Sequence, residues 1–117
     1  MPKFSRAQRL VHKPQFDAVY KNGYKFGDAY FLVLAKPNGN VSACLGLSIS
    51  ARSVGNAVNR NRIKRIIRDS FRLHCAEIPP VDIVVNTRSG ARNATNDELR
   101  SSLIQHWTNV VRRCGAH

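Results

Sequence analysis

Residues 56–74 carry the most informative pattern in the chain, NAVNRNRIKRIIRDSFRLH. At a helical advance of about 100° per residue, one side of this segment collects apolar or small side chains: Ile63, Ile66, Ile67, Ser70 and Phe71. A separate arc, about 40° to 140° from Arg60 on the helical wheel, collects Lys64, Arg65, Arg68 and Arg72, with Arg60 at its edge. The pattern predicts an amphipathic helix with one buried face and one basic face.

The basic face has almost no acidic residues to balance it. Seven basic residues lie between Arg52 and Arg72, and Asp69 is the single acid among them. An ordinary solvated helix face carries mixed signs and i,i+4 ion pairs, which this one lacks. The whole chain of 117 residues has the same bias, with 19 Lys and Arg against 7 Asp and Glu, a formal charge of +12. The sequence therefore favours nucleic acid as a partner.

The kind of nucleic acid depends on what precedes the helix. Arg60, Asn61 and Lys64 have side chains that can read DNA bases. A DNA-binding helix-turn-helix, however, needs a partner helix just before its recognition helix. Because a strand is predicted there, RNA is favoured and no DNA partner is expected.

Outward from this segment, the chain predicts two further helices and three strands. A first helix is predicted over residues 14–22, ended by a left-handed Asn22-Gly23 pair. Strands are predicted over residues 29–35 and 41–50, and the turn residues between them predict an antiparallel hairpin. A third strand, residues 81–86, follows the break at Ile78-Pro79-Pro80.

The last helix opens at Thr95, with Glu98 three residues later as in a capping box. Its predicted buried face repeats apolar side chains at helical spacing: Leu99, Leu103, Trp107 and Val110. The predicted order is α-β-β-α-β-α, an α+β sandwich with a small sheet. A chain of 117 residues is expected to form one domain, residues 1–117.

Composition disfavours several other classes of protein. No run approaches the ~18–20 apolar residues that a membrane span needs, and no apolar segment typical of a secretory signal follows the N-terminal residues. The cysteines Cys44, Cys75 and Cys114 show no C-x-x-C spacing and are expected to be reduced thiols of a cytoplasmic protein. Since the 7 acids and 4 histidines are scattered, neither a catalytic site nor a metal site is predicted in the protein.

Residues 55–72, GNAVNRNRIKRIIRDSFR, closely resemble the Arg-Asn-Arg helix of the bacterial ribonuclease P protein component. Flanking pieces extend the resemblance over nearly the whole chain: Arg9-Leu10, Phe16 with Val19-Tyr20 and Gly23, and residues 46–50 and 82–85. The resemblance implies a small basic subunit that assists a catalytic RNA. That RNA would carry out the Mg²⁺-dependent hydrolysis that releases the 5′ leader of precursor tRNA, and would bind most of the Mg²⁺. A mixed sheet with a left-handed βαβ crossover is also implied, like that of the second domain of ribosomal protein S5 and against the general right-handed rule.

The same resemblance implies two RNA-contact regions. The catalytic RNA is expected to contact eight residues of the basic helix and its approach: Arg52, Arg60, Asn61, Arg62, Lys64, Arg65, Arg68 and Arg72. The family usually has a basic residue at position 51 also, where this chain has Ala51. A cleft between the first helix and the sheet is expected to hold the single-stranded leader, with Phe16 and Tyr20 stacking on its bases. Helical spacing alone favours the core for these two rings, on the buried face of the first helix, and the resemblance makes a partly exposed position as well supported.

Two functions therefore stay open on the sequence. One is the protein subunit of a ribonucleoprotein endonuclease, with the catalytic RNA and precursor tRNA as partners. The other is a structural RNA-binding protein of the ribosomal type, which would need no substrate cleft.

Overall fold

The computed structural model describes residues 13–39 and 42–115. The helices are α1 (Lys13–Asn22), α2 (Ala51–Val54), α3 (Ala57–His74) and α4 (Asn96–Cys114). The strands are β1 (Tyr24–Gly27), β2 (Phe31–Pro37), β3 (Cys44–Ser48) and β4 (Val81–Thr87). Every predicted helix and strand within the described residues is present. The structure also contains β1 and α2, which the sequence did not predict. The Arg9-Leu10 motif and positions 40 and 41 of the predicted turn and strand lie outside the described residues.

The strands form one mixed sheet in the order β1-β2-β4-β3. β4 pairs antiparallel with β2 and parallel with β3, and its residues Val81, Ile83, Val84 and Val85 are buried. A strand whose side chains are buried on both faces belongs in the middle of a sheet. β4 therefore lies between β2 and β3, which are consecutive in the chain.

The predicted hairpin between residues 29–35 and 41–50 is wrong. β2 forms its antiparallel pair with β1 on one side, with Phe26 opposite Val33, and with β4 on the other. The turn at Asn38-Gly39 is real, and Gly39 has a positive φ of 71°, but it leads the chain to the far edge of the sheet. A turn motif sets only the local reversal of the chain, whereas burial decides which strands become neighbours.

The chain passes from β3 to the parallel strand β4 through α2 and α3, which makes the βαβ crossover that was expected. The left-handedness of this crossover stays a prediction, implied by the resemblance.

The two faces of the sheet are covered by different helices. α3 and α4 cover one face, and the five predicted side chains of α3 and the four of α4 are all buried there. Trp107 of α4 packs edge-on against Phe71, with ring centroids 5.9 Å apart, and its Nε1 donates to Ser70 Oγ at 2.9 Å. On the other face, Val19 of α1 packs in a smaller buried cluster with Leu34, Cys44 and Val84. The predicted α+β sandwich is confirmed.

The helix ends show how local sequence sets the boundaries. Thr95 and Glu98 form the predicted capping box, with Glu98 N donating to Thr95 Oγ1 at 3.1 Å and Thr95 N donating to Glu98 Oε1 at 2.9 Å. The predicted left-handed stop at Gly23 is wrong, because Gly23 does not have a positive φ. Glycine is required there by a close approach, since a Cβ would lie 2.5 Å from the carbonyl oxygen of Val19.

Within the described ranges, no helix has both the length and the apolar character needed to cross a membrane.

Candidate nucleic-acid interface

α3 is a rigid support for basic side chains. It is 18 residues long, and the Asn56 side chain caps it by accepting a hydrogen bond from Asn59 N at 2.9 Å. Arg65 and Arg68 are exposed, and neither forms an ion pair with any residue that the structure describes. These two guanidinium groups are therefore available to an external anion.

The other basic residues of this face are more enclosed. Arg60, Lys64 and Arg72 are half-buried, and Arg72 pairs with Asp69 at 3.6 Å. The Nε atoms of Arg60 and Arg72 are shielded from water, with no hydrogen-bond partner among the described residues. Their side chains lie along the protein surface, as long cationic side chains do when their stems cover apolar groups.

Arg62 is directed into the protein rather than outward. Its Nε donates to Asn59 Oδ1 at 2.9 Å, its Nη1 to Asn96 Oδ1 at 2.6 Å, and its Nη2 to the Ala94 carbonyl oxygen at 3.2 Å. Asn59 in turn donates from Nδ2 to the carbonyl oxygens of Val54, at 2.7 Å, and Arg92, at 3.0 Å. These contacts, the Asn59–Arg62 clamp, join α3 to the end of α2 and to the start of α4.

Arg52 and Ala51 lie on α2 and are both exposed. Ser50 caps this four-residue helix, and Ser53 Oγ lies 2.6 Å from Thr87 Oγ1 of β4. The segment directly before α3 is thus a short helix and not the predicted strand, because β3 ends at Ser48 and α2 follows it. With only four residues, α2 is too short to serve as the first helix of a helix-turn-helix.

The structure places both predicted cleft residues between the core and solvent. Phe16 is half-buried against the cluster around Val19, and Tyr20 is 40% exposed. The Tyr20 hydroxyl donates to Asn86 Oδ1, and Asn86 Nδ2 donates to the Leu32 carbonyl oxygen at 3.3 Å. Phe16 therefore satisfies both interpretations, because it packs against a buried cluster and is still partly accessible. Tyr20 is exposed and is held to the sheet by its hydroxyl.

Asn86 is a partner of Tyr20 that sequence reasoning missed. It lies two residues beyond Val84 in β4, so both side chains point to the α1 face of the sheet. A polar residue directly after the apolar run Ile83-Val84-Val85 was the available signal.

A buried polar cluster lies away from both regions, where α4 meets the start of β2. Asp28 accepts hydrogen bonds from Ser102 Oγ and from the backbone N–H groups of Tyr30 and Phe31, at 2.9 and 2.8 Å, and lies 3.1 Å from His106 Nε2. Burial raises the pKa of Asp28, but these hydrogen bonds together outweigh it and hold the pKa below its usual value. Burial lowers the pKa of His106, and the charge of Asp28 only partly opposes that shift. The cluster fastens α4 to the sheet.

The comparisons with known proteins agree with this geometry. The family model described as Ribonuclease P matches residues 4–111. The ribonuclease P protein component of Methylococcus capsulatus is 38% identical over 111 residues, which cover 95% of this chain and 87% of that protein. The chain belongs to the ribonuclease P protein family.

Solved structures of the ribonuclease P family have the same fold. The Staphylococcus aureus RNase P protein superposes with a TM-score of 0.81 at 32% identity, covering 92% of this chain and 97% of that one. The Thermotoga maritima protein, solved in complex with 1-(4-fluorophenyl)-2-thiourea, gives a TM-score of 0.80 at 29% identity, with coverage of 87% and 99%.

Membership of the ribonuclease P family decides between the two functions left open by the sequence. The chain is the protein subunit of a ribonucleoprotein endoribonuclease that processes tRNA, and its partner is an RNA subunit. The alternative, a structural RNA-binding protein of the ribosomal type, is not supported.

Proposed function

We propose that the exposed face of α3 binds the catalytic RNA and that the cleft beside α1 binds the 5′ leader of precursor tRNA. Together these contacts would assist the endonucleolytic removal of the leader. The observation that carries the proposal is the pair of exposed guanidinium groups on Arg65 and Arg68, which have no acidic partner among the described residues. Arginine forks suit phosphate geometry, and each phosphate contact releases counterions and so adds to affinity.

The remaining residues of the basic helix take graded roles in this proposal. Arg52, Arg60, Lys64 and Arg72 add positive charge around the two exposed arginines, and Asn61 adds an exposed amide for hydrogen bonding. Arg62 has three of its five N–H groups bound within the protein, so its contribution to RNA is limited to the other two.

The leader site rests on the rings of Phe16 and Tyr20. A ring that packs on one side and is accessible on the other can stack on an unpaired base without moving. The Tyr20 hydroxyl is held by Asn86, which fixes the ring before the leader arrives. We propose that Asn86 positions Tyr20 and that stacking gives affinity without strong base preference.

The Mg²⁺ ions of the reaction belong to the RNA in this proposal. No group of three or more His, Cys, Asp or Glu side chains among the described residues could hold a metal ion. This part of the protein therefore does not fit an Mg²⁺ site, and no step is assigned to a protein-bound ion. We further propose that the holoenzyme works in the cytoplasm, with neither DNA nor a membrane as a partner.

A reconstitution assay tests the proposal. Purified protein would be added to the cognate catalytic RNA at low salt, and precursor tRNA cleavage would be followed as Mg²⁺ is varied. The protein is expected to lower the Mg²⁺ concentration needed for half-maximal cleavage, because its positive charge replaces part of the ion atmosphere between two RNAs. An unchanged Mg²⁺ requirement, with the protein shown to be bound, would contradict it.

A further inference from the structure

A groove between α3 and the first two turns of α4 borders the basic face and shares Arg65 with it. It encloses about 350 Å³ and is lined mainly by Val58, Asn61, Arg65, Ile66, Asn96 and Arg100. This volume lies within the range of ligand-binding pockets, and the lining joins charged and amide groups to a small apolar floor. Arg65 enters the groove from α3 and Arg100 from α4.

The groove is held in shape by contacts inside the protein. Arg62 also lines it, and the hydrogen bond from Arg62 Nη1 to Asn96 Oδ1, at 2.6 Å, joins the two helices that form its walls. Ile66 is 5% exposed and belongs to the main core. Because its walls are tied together in this way, the groove can receive a ligand without rearrangement of the backbone.

The acidic groups at the groove do not cancel its positive charge. Asp69 lines the groove, but its carboxylate pairs with Arg72 at 3.6 Å. Asp97 lies 3.5 Å from Arg100, and its side chain is 97% exposed. Exposed pairs three residues apart hold weakly and are readily exchanged for a better-placed anion. Arg100 is therefore able to turn from Asp97 to a ligand in the groove.

We propose that this groove binds a phosphodiester group of the catalytic RNA, with Arg100 of α4 and Arg65 of α3 on either side of the phosphate. Asn61 and Asn96 supply amides at its edge, and the exposed Val58 lies at the mouth, where it can contact a sugar. The inference rests on the proposed function, because it assumes that α3 faces the catalytic RNA. It adds a contact from α4, outside the Arg-Asn-Arg helix.

RNA fits the groove better than an acidic peptide does. The groove is continuous with the exposed Arg65 and Arg68, so one nucleic-acid strand can follow both surfaces. Its apolar area is confined to Val58 and Ile66, too little for the hydrophobic anchor residues of a typical protein interface.

The test compares two arginines of the same helix. Arg100→Gln and Arg113→Gln each remove one positive charge from α4, but Arg113 lies at the other end, over the ring of Tyr24 at 4.6 Å. Binding to the catalytic RNA would be measured for both variants over a range of salt concentrations. Arg100→Gln is expected to weaken binding roughly tenfold. The salt slope should fall by less than the ~0.7–0.9 of a whole phosphate contact, because Arg65 still contacts the same phosphate. Arg113→Gln should leave the slope unchanged, and the unfolding midpoint of Arg100→Gln should match that of the wild type.

A further comparison separates this inference from the proposed function. Since Arg65 and Arg100 would contact one phosphate, the loss in the Arg65→Gln/Arg100→Gln double variant should be smaller than the sum of the two single losses. If Arg65→Gln weakens binding while Arg100→Gln behaves like Arg113→Gln, the groove contact is refuted and the proposed function stands. If neither Arg65→Gln nor Arg100→Gln weakens binding, the groove contact and the proposed binding of the catalytic RNA by α3 are both refuted.

Discussion

Arg62 and Arg65 lie three residues apart on α3, yet the structure gives them opposite roles. Arg62→Ala removes three hydrogen bonds of the Asn59–Arg62 clamp, at 2.9, 2.6 and 3.2 Å. At a net value of about 0.5–1.5 kcal/mol each, and with Asn96 exposed to water that can replace one of them, the loss should be about 1–3 kcal/mol. That is a large part of the ~5–15 kcal/mol by which a domain is stable.

The assay is urea denaturation of the free protein, supported by thermal unfolding. Arg62→Ala is expected to lower the melting temperature by about 4–12 °C. The matched control, Arg65→Ala, removes an exposed side chain and should change the free energy of unfolding by no more than ~0.5 kcal/mol. Arg62→Lys keeps the charge but cannot reproduce the planar fork, so it should lose most of the same stability. Equal stabilities for the Arg62→Ala and Arg65→Ala variants would refute the assignment of Arg62 to the clamp.

Three more predictions concern the cleft and the buried cluster. Phe16→Ala and Tyr20→Ala should each weaken holoenzyme binding of a long-leader precursor tRNA by ~1–3 kcal/mol. Binding of a leaderless precursor tRNA should be nearly unchanged. Equal losses of affinity for the two substrates would contradict the assignment of the leader to the cleft. Tyr20→Phe should keep most of the leader affinity, because the stacking ring remains and only the bond that positions it is lost. The free energy of unfolding should fall by about 0.5–1 kcal/mol through the lost bond to Asn86. Because the folded-state pKa of His106 lies below its ordinary 6.5, protonation favours unfolding, so stability should be full above pH 6.5 and fall as the pH drops below it. His106→Gln should flatten that fall in urea titrations at pH 7.5, 6.5 and 5.5, and an undiminished pH dependence would show that another group is responsible.

Helical periodicity predicted the parts of the fold that depend on one segment at a time. The buried faces of α3 and α4 and the capping box at Thr95 each follow from side chains three or four positions apart. The order of strands in the sheet could not be predicted in this way, because it depends on which strand takes the buried central position. β1 was not predicted because it is only four residues long and three of these residues are exposed.

The sequence predicted which basic residues belong to the candidate site, but not which way each side chain points. On the helical wheel Arg62 lies about 200° from Arg60, outside the arc of the other basic residues, and that angle signalled its inward course. Its partners Asn96 and Ala94 come from a segment more than 30 positions away, so no local pattern could name them. The groove between α3 and α4 is likewise a product of tertiary packing.

The most direct test of the central claim is the salt dependence of binding between the protein and its catalytic RNA. The Arg65→Gln/Arg68→Gln double variant would be compared with the wild type by titration over a range of salt concentrations. If both side chains contact phosphates, the slope of log K against log salt should become shallower by up to about 1.4–1.8. The change is smaller if Arg100 still holds the phosphate of Arg65, and the unfolding midpoint should be unchanged because both residues are exposed. A slope equal to that of the wild type would show that the exposed face of α3 is only solvated, and would contradict its role as the RNA-binding surface.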